Sequence, residues 1–86
     1  MALFKVSLKQ SVEKDLRRID RSQIPRIVAA IQELATNPFP ASSRKLVGSE
    51  RTYRLRVGDY RVIYLVVHDR LEIEVQMVRH RKEAYR

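Results

Sequence analysis

Three segments in the second half of the chain decide its fold: YRLRV (53–57), YRVIYLVV (60–67) and LEIEVQMV (71–78). The first segment alternates apolar residues with arginine, and the third alternates apolar residues with acids or an amide. Alternation with a period of two is typical of a strand with one face in water, whereas the nearly continuous apolar run of the second segment is typical of a strand buried on both faces. We therefore predict a three-stranded antiparallel meander, followed by a basic tail, RHRKEAYR (79–86).

The turn between the first two strands sets their register. Gly58-Asp59 suits a two-residue hairpin loop, because glycine accepts the positive φ that such turns require. This loop places Arg56 opposite Arg61, and Arg54 shares their face because it lies two residues from Arg56. Like charges across a sheet cost about 0.2–1 kcal/mol, so this arrangement favours an anion-binding surface over a stability-optimised one.

The turn after the second strand sets the third. A two-residue Asp69-Arg70 loop puts Arg61 opposite Val78, with His80 leaving the sheet on the arginine side; a three-residue loop would flip the third strand. The acids of strand three then lie on the wet face. The predicted core side of the meander consists of Tyr60, Val62, Tyr64, Leu71, Ile73, Val75 and Met77.

The first half of the chain predicts one strand and two helices. LFKVSL (3–8) is a weakly alternating strand, and a Ser7/Gln10 capping box begins a helix over about 8–20. Asp20 or Ser22 caps a second helix, whose apolar stripe runs to residue 35. The segment RKLVG (44–48) is extended and basic. The predicted fold is α+β, in the order β-α-α-β-β-β, with a helical hairpin on one face of a mostly antiparallel four-stranded sheet in a single domain, residues 1–86.

The amino-acid composition limits the classes of molecule that this protein is expected to bind. The net charge of +8 points to nucleic acid, an acidic protein or anionic lipid. The chain has no cysteine, no apolar run of the roughly 18–20 residues that a membrane span needs and no secretion-like N-terminus, so we expect a cytoplasmic protein. It lacks a glycine-rich phosphate loop and a cluster of metal-ligand residues, and we expect neither a cofactor nor a metal ion.

An arginine cluster beside Tyr85 and His80 suits RNA cleavage without a metal ion. When a ribose 2′-hydroxyl attacks the neighbouring phosphate, guanidinium donors stabilise the charge that builds on its oxygens. Arginine stays charged and is a poor proton shuttle, so Tyr85 or His80 has to move the protons. The structural alternatives are a packed or frayed Tyr85, a surface histidine and a salt-bridged Arg61.

Four segments resemble the RelE/ParE superfamily of toxin–antitoxin toxins, on the RelE-like side: KLVG (45–48), YRLR (53–56), GDYRVIY (58–64) and VRHRKEAYR (78–86). The resemblance implies a ribosome-dependent endoribonuclease that cuts mRNA in the A site and is neutralised by an antitoxin. Arg61 and Arg81 match phosphate-stabilising arginines, and Tyr85 matches a tyrosine that activates the nucleophile. The basic residues assigned to binding RNA phosphates are Arg54, Arg56, Lys45, Arg79 and Lys82.

Arg54 and Arg56 stand where some members have two lysines, and this departure assigns proton transfer to Tyr85 or His80. Two other functions stay open. A ParE-like toxin poisons DNA gyrase and needs no RNA-cleaving residues, whereas a non-catalytic RNA- or ribosome-binding regulator needs no proton-transfer residue.

Overall fold

A computed structural model describes residues 3–82 of the chain. Two helices and five strands follow one another, with 3₁₀ turns at Arg21–Gln23 and His68–Arg70. In chain order these elements are β1 (Lys5–Leu8), α1 (Ser11–Arg17), α2 (Ile24–Glu33), β2 (Ser43–Lys45), β3 (Thr52–Val57), β4 (Tyr60–Val67) and β5 (Glu72–His80). Within the described residues, neither helix is long and apolar enough to cross a membrane.

The sheet has the strand order β1-β5-β4-β3-β2, and only the β1–β5 pair is parallel. The α+β class and the element order are confirmed, but the sheet has five strands where we predicted four. The additional strand is β2, which pairs with Tyr53–Leu55 of β3. A strand of three residues is too short to show an alternating pattern, so the sequence marked this segment only as extended.

The helices cover one face of the sheet, with α1 against β5 and α2 against β3. Fully buried residues from both layers form the core, among them Val12, Ile27, Leu34, Tyr64 and Ile73. Burial raises the pKa of the Tyr64 phenol, whose hydroxyl donates to the Pro38 carbonyl at 2.7 Å. Burial of this apolar surface is the main force that holds the helices on the sheet.

The predicted helix caps are corrected in part. Helix α1 begins at Ser11 and is shorter than predicted, and Gln10 makes no capping side-chain hydrogen bond. Ser7 lies in β1, where its hydroxyl donates to the Ile73 carbonyl at 3.4 Å, so the capping box is wrong. Asp20 accepts hydrogen bonds from the amide and hydroxyl of Ser22, which lower the pKa of Asp20 and cap the 3₁₀ turn Arg21–Gln23. The N-cap of α2 itself is Gln23, without a side-chain hydrogen bond, so the predicted capping of α2 by Asp20 or Ser22 is wrong.

The first hairpin has the predicted register, with Arg56 opposite Arg61 and Val57 opposite Tyr60. Gly58 has φ +59°, and Asp59 does not have a positive φ. A positive φ at the first central residue alone is the pattern of a type II′ turn, which fits the right-handed twist of paired strands.

The second hairpin departs from its predicted register halfway along. Val67 lies opposite Glu72 and Tyr64 opposite Val75, as the two-residue loop requires. A bulge then leaves Gln76 without a partner, so Arg61 lies opposite Arg79 rather than Val78.

The bulge also exchanges two core positions. Val78 is buried, whereas Met77 is exposed, because one inserted residue moves every later side chain to the other face. Leu71, also predicted as core, is exposed and has φ +52° at the end of the 3₁₀ turn. The remaining residues predicted for the core side are confirmed: Val62, Tyr64, Ile73 and Val75 are buried, and Tyr60 packs against the core.

Candidate nucleic-acid interface

The face of the sheet away from the helices carries arginines from four neighbouring strands. Residues directly opposite each other in a sheet point to the same side. The pairs Arg44–Arg54, Arg56–Arg61 and Arg61–Arg79 therefore define one surface, which we call the arginine face. The far end of the arginine face is acidic. Glu74 and Glu72 pair with Leu65 and Val67, which lie on the same face of β4 as Arg61, so the acids of β5 lie on this side as predicted.

Arg61 is held at the centre of the arginine face. Arg61 is only 6% exposed, although its side chain points away from the core, to which its neighbour Val62 points. Its Nη1 donates to the carbonyls of Gly58 at 3.1 Å and Tyr60 at 2.9 Å, so the guanidinium is bound to the hairpin turn.

The Nε of Arg61 is buried and finds no hydrogen-bond partner within residues 3–82. An unsatisfied buried donor costs about 1–3 kcal/mol. Because two hydrogen bonds already fix the guanidinium, binding an anion through its other N–H groups would need little further ordering.

Arg81 reaches the same turn from the end of β5. Its amide donates to the Asp59 carbonyl at 2.7 Å, and its Nε lies 3.9 Å from Asp59 Oδ1. Both side chains of this second contact are mostly exposed, so the backbone hydrogen bond is the stronger restraint. Arg61 and Arg81 are thus both anchored to the three consecutive residues 58–60.

Arg26, which the sequence analysis did not consider, also lies at this turn. A methyl group on Gly58 would come within 3.0 Å of the Arg26 guanidinium. The positive φ favours glycine at this position, and a larger residue would also have to displace the flexible end of the Arg26 side chain. Arg26 follows the start of α2 as an ordinary charged helix residue, and nothing in the sequence marks its position beside a turn thirty residues away.

Arg79 has an ion-pair partner. Its Nη1 contacts the carboxylate of Asp15, which also accepts the Val78 amide at 3.0 Å. Asp15 is buried on α1 and satisfies an amide on the part of β5 that lies beyond its pairing with β1. This ion pair partly neutralises the positive charge of Arg79. Arg79 therefore has a structural partner in addition to its predicted role in binding an RNA phosphate.

His80 and Lys45 lie on the opposite side from the arginines. His80 pairs with Tyr60, and their rings meet edge to face with centroids 5.4 Å apart. Our prediction that His80 shares the arginine side is wrong, because the bulge in β5 reverses the faces beyond it. Its Nδ1 accepts a hydrogen bond from the Lys82 amide at 3.3 Å.

Lys45 pairs with Tyr53, which packs against the core, so it points to the helix side of the sheet. Its neighbour Arg44 takes the place on the arginine face, opposite Arg54. Arg44, Arg54 and Arg56 line one cleft beside Ala41 and Ser42. The sequence could have indicated Arg44, because neighbouring residues of a strand point to opposite faces. Arg44 and Lys45 therefore cannot both lie on the arginine face.

Two predicted residues complete the account. Lys82 is exposed at the end of the described chain. Tyr85, the residue predicted to activate the nucleophile, lies outside the described residues.

Two helices on one face of a five-stranded sheet, with arginines on the other face, define a small basic α+β protein with a candidate anion-binding surface. The family described as the ParE toxin of type II toxin–antitoxin systems, parDE, matches residues 6–85. The protein named RelE1 of Methanocaldococcus jannaschii is 34% identical over 86 residues, which cover 96% of each chain.

Two solved structures are similar over nearly the whole chain. The archaeal RelE–RelB complex of Pyrococcus horikoshii OT3 contains a chain that is 29% identical, with a TM-score of 0.82 and coverage of 95% of this chain and 99% of that one. The RelB–RelE antitoxin–toxin complex of Methanococcus jannaschii gives 28% identity, a TM-score of 0.75 and coverage of 91% and 93%.

The chain belongs to the RelE/ParE superfamily of toxins from type II toxin–antitoxin systems. Its similarity to RelE proteins in sequence and in fold confirms the resemblance read from the four segments.

Proposed function

We propose that this toxin is a ribosome-dependent endoribonuclease that cleaves mRNA through attack of a ribose 2′-hydroxyl on the adjacent phosphodiester, without a metal ion. The observation that carries the proposal is the anchoring of Arg61 and Arg81 to one turn. Arg61 from β4 and Arg81 from the turn after β5 would meet a single phosphate there.

In the proposed reaction the 2′-oxygen forms a bond to phosphorus and the bond from phosphorus to the 5′-oxygen breaks. Negative charge grows on the non-bridging oxygens as this happens. The fixed guanidinium of Arg61 would stabilise that charge, and Arg81 would reach it from the tail. Arg54 and Arg56 would bind neighbouring phosphates of the same strand.

Two protons have to move: one leaves the 2′-hydroxyl and one is delivered to the departing 5′-oxygen. Of the two candidates, His80 lies on the helix side of β5, across the sheet from Arg61. We therefore assign the proton transfer to Tyr85, which follows Arg81 by four residues in the sequence and lies outside the described residues.

The partner we propose is a RelB-like antitoxin that forms a toxin–antitoxin complex and neutralises the toxin. RelE chains are seen with RelB in the two archaeal complexes named above. Since the toxin carries a net charge of +8, an acidic or amphipathic antitoxin segment would be attracted to its basic surface. The proposed site of action is the cytoplasm, where ribosomes translate mRNA.

The test is cleavage of mRNA on programmed ribosomes by the wild type, Arg61→Ala and Arg81→Ala. Each arginine variant should lose about 2–4 kcal/mol of transition-state stabilisation, or roughly 10²–10³ in rate, while its thermal unfolding stays cooperative. Arg17→Ala, which removes an exposed arginine from α1, is the charge-matched control and should cut normally. Tyr85→Phe should lower the cleavage rate more than ribosome affinity.

The two other candidate functions predict different results in the same cells. Intact transcripts together with DNA damage on induction would support a gyrase poison, and RNA retention without loss of growth would support a non-catalytic binder. Wild-type cleavage by either arginine variant would contradict the role assigned to that residue.

A further inference from the structure

One row of the arginine face contains two apolar residues, Ile63 and Met77, that the proposed cleavage chemistry does not use. Arg54, Ile63 and Met77 lie opposite one another on β3, β4 and β5. This row adjoins the row of Arg56, Arg61 and Arg79, at a distance of two residues along each strand, or about 7 Å.

Ile63 and Met77 form a continuous apolar floor in that row. Ile63 is 8% exposed although it is not part of the helix-covered core, and Met77 beside it is 37% exposed. Met77 reaches this surface because of the bulge, which moves it from the predicted core to the arginine side. On one side of the floor lies the row with Arg61 and Arg79, and on the other side lies the row with Leu65 and Glu74.

We propose that Met77, on the floor formed with Ile63, is a nucleobase-binding subsite for the RNA strand whose phosphate lies on Arg61. This inference rests on the proposed RNA-cleaving function. In a nucleotide, a ribose separates the charged phosphate from the apolar base faces, and the two adjacent rows offer a cationic and an apolar surface in the same order. A thioether is soft and polarisable and makes favourable contacts with aromatic rings, and such stacking is tolerant of base identity.

The order and spacing of the two rows, rather than charge alone, favour this occupant over a protein one. A phosphodiester strand brings negative charge to the arginine row and a flat aromatic ring to the next row at every nucleotide. The other occupant, an apolar antitoxin side chain, is therefore made a distinct outcome of the test.

The experiment measures single-turnover mRNA cleavage on programmed ribosomes as a function of toxin concentration. Met77→Gln preserves side-chain length but removes the apolar contact, and it should raise the half-saturating concentration about three- to tenfold. The matched control is Leu8→Gln. Leu8 is an exposed residue of β1 that pairs with the core residue Val75, so it lies on the helix side of the sheet, and the variant should cleave mRNA as the wild type does.

A set of mRNAs that each lack one base of the A-site codon locates the contact. Removing the contacted base should weaken the wild type as much as Met77→Gln does, and the two changes together should add nothing further. Met77→Leu should retain wild-type behaviour, and thermal unfolding of Met77→Gln should match the wild type because the residue is exposed.

The inference is overturned if Met77→Gln saturates at the wild-type concentration, or if its loss adds to that of every missing base. It is also overturned if Met77→Gln weakens only neutralisation by the antitoxin, which would assign the floor to the partner. Failure of the proposed function is recognisably different, since the wild type would then cut none of the mRNAs.

Discussion

Replacing Asp15 with alanine should destabilise the toxin by about 2–4 kcal/mol. The Asp15 carboxylate accepts the amide of Val78, a buried residue, and contacts the Arg79 guanidinium. A hydrogen bond to a charged group contributes about 1.5–3 kcal/mol, and a partly exposed ion pair contributes about 0–1 kcal/mol. Alanine removes both, and it leaves the Val78 amide without its acceptor.

Equilibrium unfolding in urea measures this loss directly, and thermal unfolding should show a midpoint lower by about 8–30 °C for a domain of this size. Asp15→Asn keeps an oxygen for the Val78 amide but loses the charge beside Arg79, so it should cost about 1 kcal/mol. Glu13→Ala, on the exposed side of the same helix, is the control and should cost less than about 1 kcal/mol. The reasoning fails if Asp15→Ala unfolds within about 0.5 kcal/mol of the wild type, or if Asn costs as much as Ala.

Two further changes test the turn and the faces of the sheet. Gly58→Ala should destabilise the toxin by about 1–2 kcal/mol, because φ at this position is +59° and the added methyl group meets Arg26. Cleavage of mRNA should fall as well, since the turn anchors Arg61 and Arg81. Unchanged unfolding and cleavage would contradict this expectation. Arg44→Ala should weaken ribosome binding and make it less dependent on salt, whereas Lys45→Ala, on the other side of the strand, should leave both unchanged; equal effects of the two changes would refute the assignment of faces.

The sequence predicted the fold class and the first hairpin because both depend on local signals. Gly58-Asp59 fixes the turn, and the alternation in β3 fixes which residues face water. Arg54, Arg56 and Arg61 were therefore assigned to the correct face from the sequence alone. The roles given to the predicted site residues remain predictions, and Tyr85 lies outside the described residues.

The sequence could not reveal features that depend on contacts between distant elements. The ion pair of Asp15 with Arg79 joins α1 to β5, and nothing near either residue indicates it. The approach of Arg26 to Gly58 is of the same kind. The bulge at Gln76 has a similar origin, because an uninterrupted alternation in β5 fits the sequence as well as an interrupted one does.

The bulge in β5 connects the core to the candidate site. A one-residue shift exchanges the faces of a strand, so β5 is divided at Gln76 into two parts with opposite orientations. Before the bulge, Ile73 and Val75 fill the core; after it, Val78 continues the core while Met77 and Arg79 move to the arginine face.

The strand then ends opposite Tyr60, and the next residue along the chain is Arg81, whose amide binds the Asp59 carbonyl. Without the extra residue, Val78 would lie opposite Arg61, and the chain would reach the hairpin turn one residue earlier, at His80. Bulges commonly redirect side chains next to functional sites. Here the inserted residue brings Arg81, rather than His80, to the turn that holds Arg61.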